Sequence, residues 1–577
     1  MLFEEKSRRK IWWSWLLIIL LLYLLPLGIR PLVTPDETRY AEIPREMTAY
    51  HDWMVPHLGG LRYFEKPILG YWLGALSQTV CGANNFAVRL PSALATIAAA
   101  LLLWAVTAKF RRRETATLTM MIFTSCALVY FVGTFAVLDA PVSLFVTGAL
   151  LAFYLAYRAD SRPRARLWLS LMGVSCGLAF LTKGFIAMAI PALVIGPFMF
   201  WEKRGKDLLR LPWLPLLTAG LVILPWSIAI HRGDPDFWRY FIVVEHWNRF
   251  FAHDSAQHPA PCWYFIPIII GGAMPWTLLV PGIMTQLKRE LPVDSFTRYC
   301  WCWLIFPFLF FSISSGKLGT YILPCFPAVA VLIAGGLETY FAQPDHRIFN
   351  RTSRVTAIIC FIALSLLLAS QLAAAWNISP AVISRLCHKK VTTVAIYGAD
   401  ESWKWLTTAG ILAIWGYSML RAARSIDGGR KIRWFCLGPL LVFLLAHPLC
   451  PGLVLTRKAP GAFLTRVADK IRPDDIVVAD NRLFAAASWY WRRNDLLVYR
   501  KGGELQYGLN KPQARKRFLS EEAFVKLVKD PTRRRRVVLV LNSGHRPRNA
   551  PAPQNIIDDP DRKHIRFAVY NANGMQP

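Results

Sequence analysis

Runs of about twenty apolar residues recur along most of this chain, each closed by a short basic cluster, and a bilayer-spanning helix needs that length. In lipid every backbone N–H and C=O must find its partner inside the protein, so such runs are confined to helices. The expected spans are Ile11–Ile29, Phe86–Ala108, Ala116–Thr134, Ala140–Tyr157, Leu167–Leu181, Gly184–Trp201, Leu211–Ile230, Cys262–Gly282, Tyr299–Ser314, Gly319–Phe341, Val355–Ala375, Trp403–Leu420 and Trp434–Leu449. That reading is a polytopic α-helical membrane protein of about thirteen spans. Ile68–Val80 is apolar but shorter, and is expected in the interface. No small-residue cleavage site follows Ile11–Ile29, so it reads as a retained first helix.

Charge orients the spans. With a cytoplasmic N-terminus, the inside loops become Lys109–Arg113, Arg158–Arg166, Lys203–Arg210, Lys288–Arg298, Arg347–Arg354 and Arg421–Arg433, all basic. The net charge of +31 therefore reflects loops facing lipid head groups, and nucleic acid is excluded as a partner. The eleven cysteines show no paired CxxC spacing, which argues against a zinc ribbon or a disulfide scaffold. There is no internal repeat and no glycine-rich phosphate loop, so no nucleotide cofactor is expected.

From about residue 451 the pattern changes. Short β-branched runs, Ile476–Asp480, Leu496–Arg500, Val537–Asn542 and Ile565–Asn571, alternate with expected helices Ala459–Ile471, Leu483–Trp491, Lys511–Phe518 and Glu521–Lys529. This predicts a small C-terminal α/β domain over 451–577, after a transmembrane domain over 1–450 that carries an exported loop at 30–85. Arg533–Arg536 reads as a solvated charge run, with contact to anionic head groups as the alternative.

The polar residues that resist this scheme gather where the expected exported ends of the helices lie. Thr34–Lys66 opens with Asp36 and Glu37, continues with Arg39, Glu42, Arg45 and Glu46 at helical spacing, and closes with Tyr63, Glu65 and Lys66. Ionisable groups against a membrane domain are expensive and point to function. Asp139 sits in a turn, Lys183 between two apolar runs, Glu245, His246 and Arg249 among aromatics, and Lys317 and Tyr321 at the mouth of a helix. Each has a plainer reading: Asp139 as a helix cap, the lysines as snorkelling anchors, His246 as a hydrogen-bonded interior residue. Together they suggest a pocket with carboxylates for a sugar or amine and cations for phosphate. A transporter or flippase is the rival from another class, but the charges gather at the boundary rather than at mid-membrane.

The stretches PDETRYAEIPREM, LRYFEKPILGYW, VLDA, PDFWRYFIVVEHWNRF, AQHPAPCWYFIP, SGKLGTYILP and ELQYGLNKPQARKRF together resemble the lipid A aminoarabinose transferase family. That family is similar to the protein O-mannosyltransferases of the GT-C membrane glycosyltransferase class. One departure is Gly319, where the family pattern has proline. The resemblance implies an inner-membrane enzyme of Gram-negative bacteria, active on the periplasmic side. It would move 4-amino-4-deoxy-L-arabinose from undecaprenyl phosphate to a lipid A phosphate, giving resistance to polymyxin and cationic peptides. An enzyme of the same class with another acceptor is the nearest alternative. On this reading Asp36 and Asp139 are the catalytic acids. Lys66, Arg249, Lys317 and Tyr321 hold phosphates, while Glu37, Arg39, Tyr40 and Tyr63 complete the substrate contacts. Glu65 and His246 would hold a divalent metal such as zinc.

Overall fold

The computed structural model describes residues 5–248, 259–290, 294–376, 395–542, 547–560 and 562–572. The chain divides into two compact units. One comprises Met1–Ile29, Ser92–Pro225 and His246–Leu453; the other comprises Arg30–Pro91, Trp226–Glu245 and Val454–Pro577.

The first unit is helical, as the apolar runs require. Among the described residues of the chain, eight helices are long and apolar enough to cross a bilayer, or ten if each of two bent pairs is one span. The helix Ile186–Trp201 is shorter than these, and Ser402–Arg424 and Gly428–Leu445 stand where the last two expected spans were placed. The expected count of thirteen is not reached by length and composition alone.

Two expected spans are not straight. Ala116–Thr134 breaks into Arg113–Thr124 and Ala127–Gly133 with a 65° bend, and Cys262–Gly282 breaks by 90° ahead of Trp276. A break strands amides and carbonyls that lipid cannot satisfy. Here the two breaks satisfy each other, since the amide of Ala127 donates to Met274 O at 3.0 Å. The Trp276 indole donates to Ser125 Oγ at 2.9 Å across the same junction. Gly272 permits the approach: a Cβ there would meet Leu128 and Phe326 at 2.9 Å.

The second unit is built on a six-stranded sheet. With β1 His57–Leu58 and β2 Leu61–Arg62 forming a separate hairpin, the strands are β3 Ile476–Asp480, β4 Leu497–Tyr499, β5 Phe518–Leu519, β6 Val537–Asn542, β7 Asn555–Asp559 and β8 Arg562–Tyr570, in the order β5-β4-β3-β6-β8-β7. The pairs β3–β4, β3–β6 and β4–β5 are parallel; β8 runs antiparallel to β6 and β7. Val478, Leu539 and Leu541 pack with Phe524 and Tyr570 in the core. Asp480 ends β3 and caps the helix Asn481–Trp491, accepting from Leu483 N at 2.9 Å. Ser520 caps Glu521–Lys529, which has acids in its first turn and lysines in its last.

Two expectations fail here. Lys511–Phe518 is not an α-helix: it lacks an apolar stripe, Arg515–Arg517 forms only a single 3-10 turn, and Phe518–Leu519 instead pairs with β4. Arg533–Arg536 is not merely a solvated run. Arg533 is buried and donates to the carbonyls of Tyr570 at 3.2 Å and Asn571 at 2.7 Å. Arg536 grips both oxygens of Asp475 at 2.9 and 2.6 Å.

The segment Arg30–Pro91 packs within this unit. The tip of the β1–β2 hairpin, Gly59 and Gly60, has φ of +59° and +73°. A Cβ at Gly59 would strike the Phe484 ring, and one at Gly60 would lie 2.5 Å from Asn494 O. Only glycine fits such a backbone at such a distance. Arg517 closes the joint, donating to Gly59 O at 2.7 Å.

Candidate active site

The helix Asp36–Tyr50 begins with two acids, whose charge suits the positive end of its dipole. Its neighbouring acids meet different surroundings. Asp36 keeps 49% of its side chain exposed and accepts from Arg39 at 2.5 Å. Arg39 is buried, donates to Tyr63 Oη at 3.0 Å, and pairs with Glu504. The Tyr63 hydroxyl donates to Glu504 at 3.0 Å. Burial alone would raise the Glu504 carboxyl, but the charge and hydrogen bond of Arg39, then Tyr63 and Lys66, hold it below the usual range. The Arg39 guanidinium lies over the Tyr40 ring at 5.3 Å. The Lys66 ammonium donates to Glu65 O at 2.9 Å, and Glu65 is buried. Three residues expected at the site, Arg39, Tyr63 and Lys66, thus meet around Glu504, which was not among them, and a fourth, Asp36, joins through Arg39. The only signal of Glu504 in the sequence was that it opens the segment ELQYGLNKPQARKRF.

Glu37 is placed otherwise than a substrate contact would be. Its side chain is wholly buried, and its carboxylate accepts from Arg30 at 2.5 and 3.0 Å, from Arg89 at 2.7 and 2.8 Å, and from Val33 N at 2.9 Å. Burial pushes its carboxyl up, yet these two guanidinium groups outweigh burial and pull it down to about 2. With both oxygens so engaged, Glu37 is held inside the unit by Arg30 and Arg89, away from the exposed face that Asp36 keeps. Glu42 and Glu46 also face inward. Glu42 accepts from Arg45 at 2.7 and 2.6 Å, and Glu46 accepts from Gly60 N at 2.9 Å. Burial, and then the like charge of Glu42, raise Glu46 well above the carboxylate range.

A further acid missed in the sequence is Asp234. It is buried, pairs with Arg62, and accepts from Lys511 at 3.0 Å and Tyr507 Oη at 3.1 Å. It therefore ties the stretches around 62 and 234 to the one that carries Glu504.

In the first unit, Asp139 starts the helix Asp139–Tyr157 and accepts from Lys183 at 2.7 Å. The Lys183 ammonium also sits 4.7 Å from the centre of the Tyr321 ring. Lys317 is 4% exposed; its ammonium donates to Ala260 O at 2.9 Å and to Ser314 O. No carboxylate among the described residues pairs with it. Its positive charge is held in place by dipoles rather than cancelled, an arrangement suited to an anion. Arg249 and the side chain of His246, the expected partner of Glu65 at a metal, lie outside the described residues. Among the described residues no group of three or more His, Cys, Asp or Glu is placed to hold a metal.

A helical membrane body, a small mixed-sheet domain in the same chain, and carboxylates interleaved with cations fit a membrane glycosyltransferase that uses a lipid-linked sugar, and the relatives show that class. Residues 10–241 match the family model for dolichyl-phosphate-mannose-protein mannosyltransferase, and residues 455–566 match that for the C-terminal domain of arabinosyl transferase ArnT. The chain is 39% identical over 526 residues to an undecaprenyl phosphate-alpha-4-amino-4-deoxy-L-arabinose arabinosyl transferase of Erwinia tasmaniensis, covering 90% of this chain and 91% of the relative. The protein of that name from Shewanella sediminis is 36% identical over 548 residues, 94% of this chain and 95% of its own. The chain belongs to the undecaprenyl phosphate-aminoarabinose arabinosyl transferase family. Its fold is that of ArnT from Cupriavidus metallidurans bound to undecaprenyl phosphate, with a TM-score of 0.75 at 22% identity over the whole of both chains.

Proposed function

We propose that this protein transfers 4-amino-4-deoxy-L-arabinose from undecaprenyl phosphate to a phosphate of lipid A. The observation that carries the reading is the near full-length similarity to transferases named for that donor and sugar. The half-exposed Asp36 carboxylate beside the buried Arg39 guanidinium supports it. In the reaction the bond from the anomeric carbon to the undecaprenyl phosphate oxygen breaks, and a bond to a lipid A phosphate oxygen forms. The acceptor is already an anion, so a strong general base is not needed. The barrier lies in charge, because negative charge grows on the leaving phosphate and positive charge on the anomeric carbon. Fixed cations lower the first, and Lys66, Lys317 and Arg249, with Tyr321 as a donor, are assigned to it. Asp36 and Asp139 serve the second or hold the sugar ammonium. The site faces the periplasm of a Gram-negative inner membrane, and the added ammonium weakens binding of polymyxin and cationic peptides to lipid A. A divalent cation between Glu65 and His246 is proposed alongside.

The test is a reaction of purified protein with undecaprenyl phosphate-aminoarabinose and lipid A, read by mass spectrometry of the lipid A. The parent should add the aminosugar, and Asp36→Asn should not, at equal membrane abundance. Addition of a different sugar, or modification of protein with none of lipid A, would move the enzyme to another acceptor.

A further inference from the structure

Tyr71 is fully buried on the helix Leu69–Cys81, and its hydroxyl has no hydrogen-bond partner among the described residues. A buried O–H without an acceptor costs as much as a lost hydrogen bond, and such groups call for an explanation. The Nε–H of Arg39 is buried and unpartnered as well, although both of its Nη atoms are engaged. These two donors belong to one neighbourhood. Tyr71 stacks on Tyr40 with ring centroids 6.1 Å apart, and Tyr40 carries the Arg39 guanidinium at 5.3 Å. The Tyr71 hydroxyl lies within electrostatic reach of Arg39, Glu65 and Glu504.

The placement is rigid. Tyr71, Gly74 and Gln78 share the helix face turned toward Asp36–Tyr50. A Cβ at Gly74 would meet Pro44 at 2.8 Å, and Gln78 donates to Ala41 O at 2.9 Å. With the helices locked this closely, the phenol cannot swing away to find another partner.

We propose that Tyr71 is a further binding residue of the transferase site, its hydroxyl and the Arg39 Nε–H donating to an oxygen of the bound lipid-linked sugar phosphate. The assignment rests on the transfer reading above, and extends the site to a residue on the second helix. The oxygen belongs either to the phosphate or to a sugar hydroxyl, and two probes separate them.

Full-length protein in lipid nanodiscs is titrated with undecaprenyl phosphate and with undecaprenyl phosphate-aminoarabinose, for the parent and for Tyr71→Phe. The variant should unfold at or above the parent temperature without ligand, since it sheds an unpartnered buried hydroxyl, and bind about tenfold more weakly, the loss of one ligand hydrogen bond. Loss with both lipids assigns the phosphate oxygen; loss with the sugar-bearing lipid alone assigns a sugar oxygen. Unchanged affinity for both overturns the proposal, and a lowered unfolding temperature with unchanged affinity gives the hydroxyl to a structural water instead. Gln78→Leu cuts the helix–helix bond and leaves the phenol in place, so an equal affinity loss in that variant also overturns it. A parent that binds both lipids but moves no sugar to lipid A refutes the transfer reading and leaves the affinity comparison standing.

Discussion

Replacing Glu37 by glutamine tests whether the acid next to Asp36 works on substrate or on the fold. Its carboxylate is fully buried and shared by Arg30 and Arg89. A carboxyl held down to about 2 from an ordinary value of 4.5 contributes about 3 kcal/mol to folding at neutral pH. Removing the anion also strands two buried guanidinium groups, a change that costs about 3–5 kcal/mol in comparable pairs. Both routes lead to the same size of effect. For a unit of this size it corresponds to a fall of roughly 10 °C in unfolding temperature. Because the folded carboxyl is depressed, its contribution is complete above the ordinary value and is lost as pH falls from about 4.5 toward 2.

The assay is thermal unfolding of purified parent and Glu37→Gln across that pH range, with lipid-donor KM measured on the folded fraction at pH 7. The variant should unfold far below the parent at neutral pH, converge with it in acid, and keep the parental KM. A variant that unfolds within about 1 °C of the parent but has lost donor affinity would refute the reasoning and return Glu37 to the substrate.

Glu504→Gln should lower kcat/KM by about 10- to 100-fold through loss of the Arg39 pairing, with a much smaller effect on stability because the Glu504 side chain is a third exposed. Parental kcat/KM would remove Glu504 from the site. Lys317→Ala should weaken undecaprenyl phosphate binding by at least about tenfold, measured by titration in nanodiscs, and the loss should change little with salt because Lys317 is buried. Metal analysis of the parent and of a Glu65→Ala, His246→Ala double variant should find a divalent ion in the first and not in the second; a metal-free parent ends that proposal.

Spans and sheet were legible because each rests on a property carried by consecutive residues. An apolar run is its own evidence, and Val537–Asn542 has the β-branched composition of the strand it forms. The bends were not legible. Nothing in Ala116–Thr134 announces a break at 125–126, because the break is permitted by Met274 O, a residue far along the chain that accepts from Ala127. Glu504 escaped for the same reason: it meets Arg39 across 465 positions, and its local context is that of a loop acid. The four arginines at 533–536 show the converse error, since a run of charge looks solvated until strand-end carbonyls and Asp475 are found beneath it.

The deepest ambiguity lay between neighbours. Asp36 and Glu37 are both acids in the first turn of one helix, and residue type gives no reason to separate them. Helix geometry does, since successive side chains leave the axis about 100° apart. That rotation carries Glu37 into contact with Arg30 and Arg89 and leaves Asp36 half exposed beside Arg39. Whether an acid anchors or reacts thus depends on how many cations close over it, and on whether any of its surface remains. Two buried guanidinium groups engage both oxygens of Glu37, whereas Asp36 meets one and keeps half of its side chain exposed. Adjacent substitutions should therefore fail in opposite ways, Asp36→Asn in chemistry with the fold retained, Glu37→Gln in the fold with the chemistry of the surviving molecules retained.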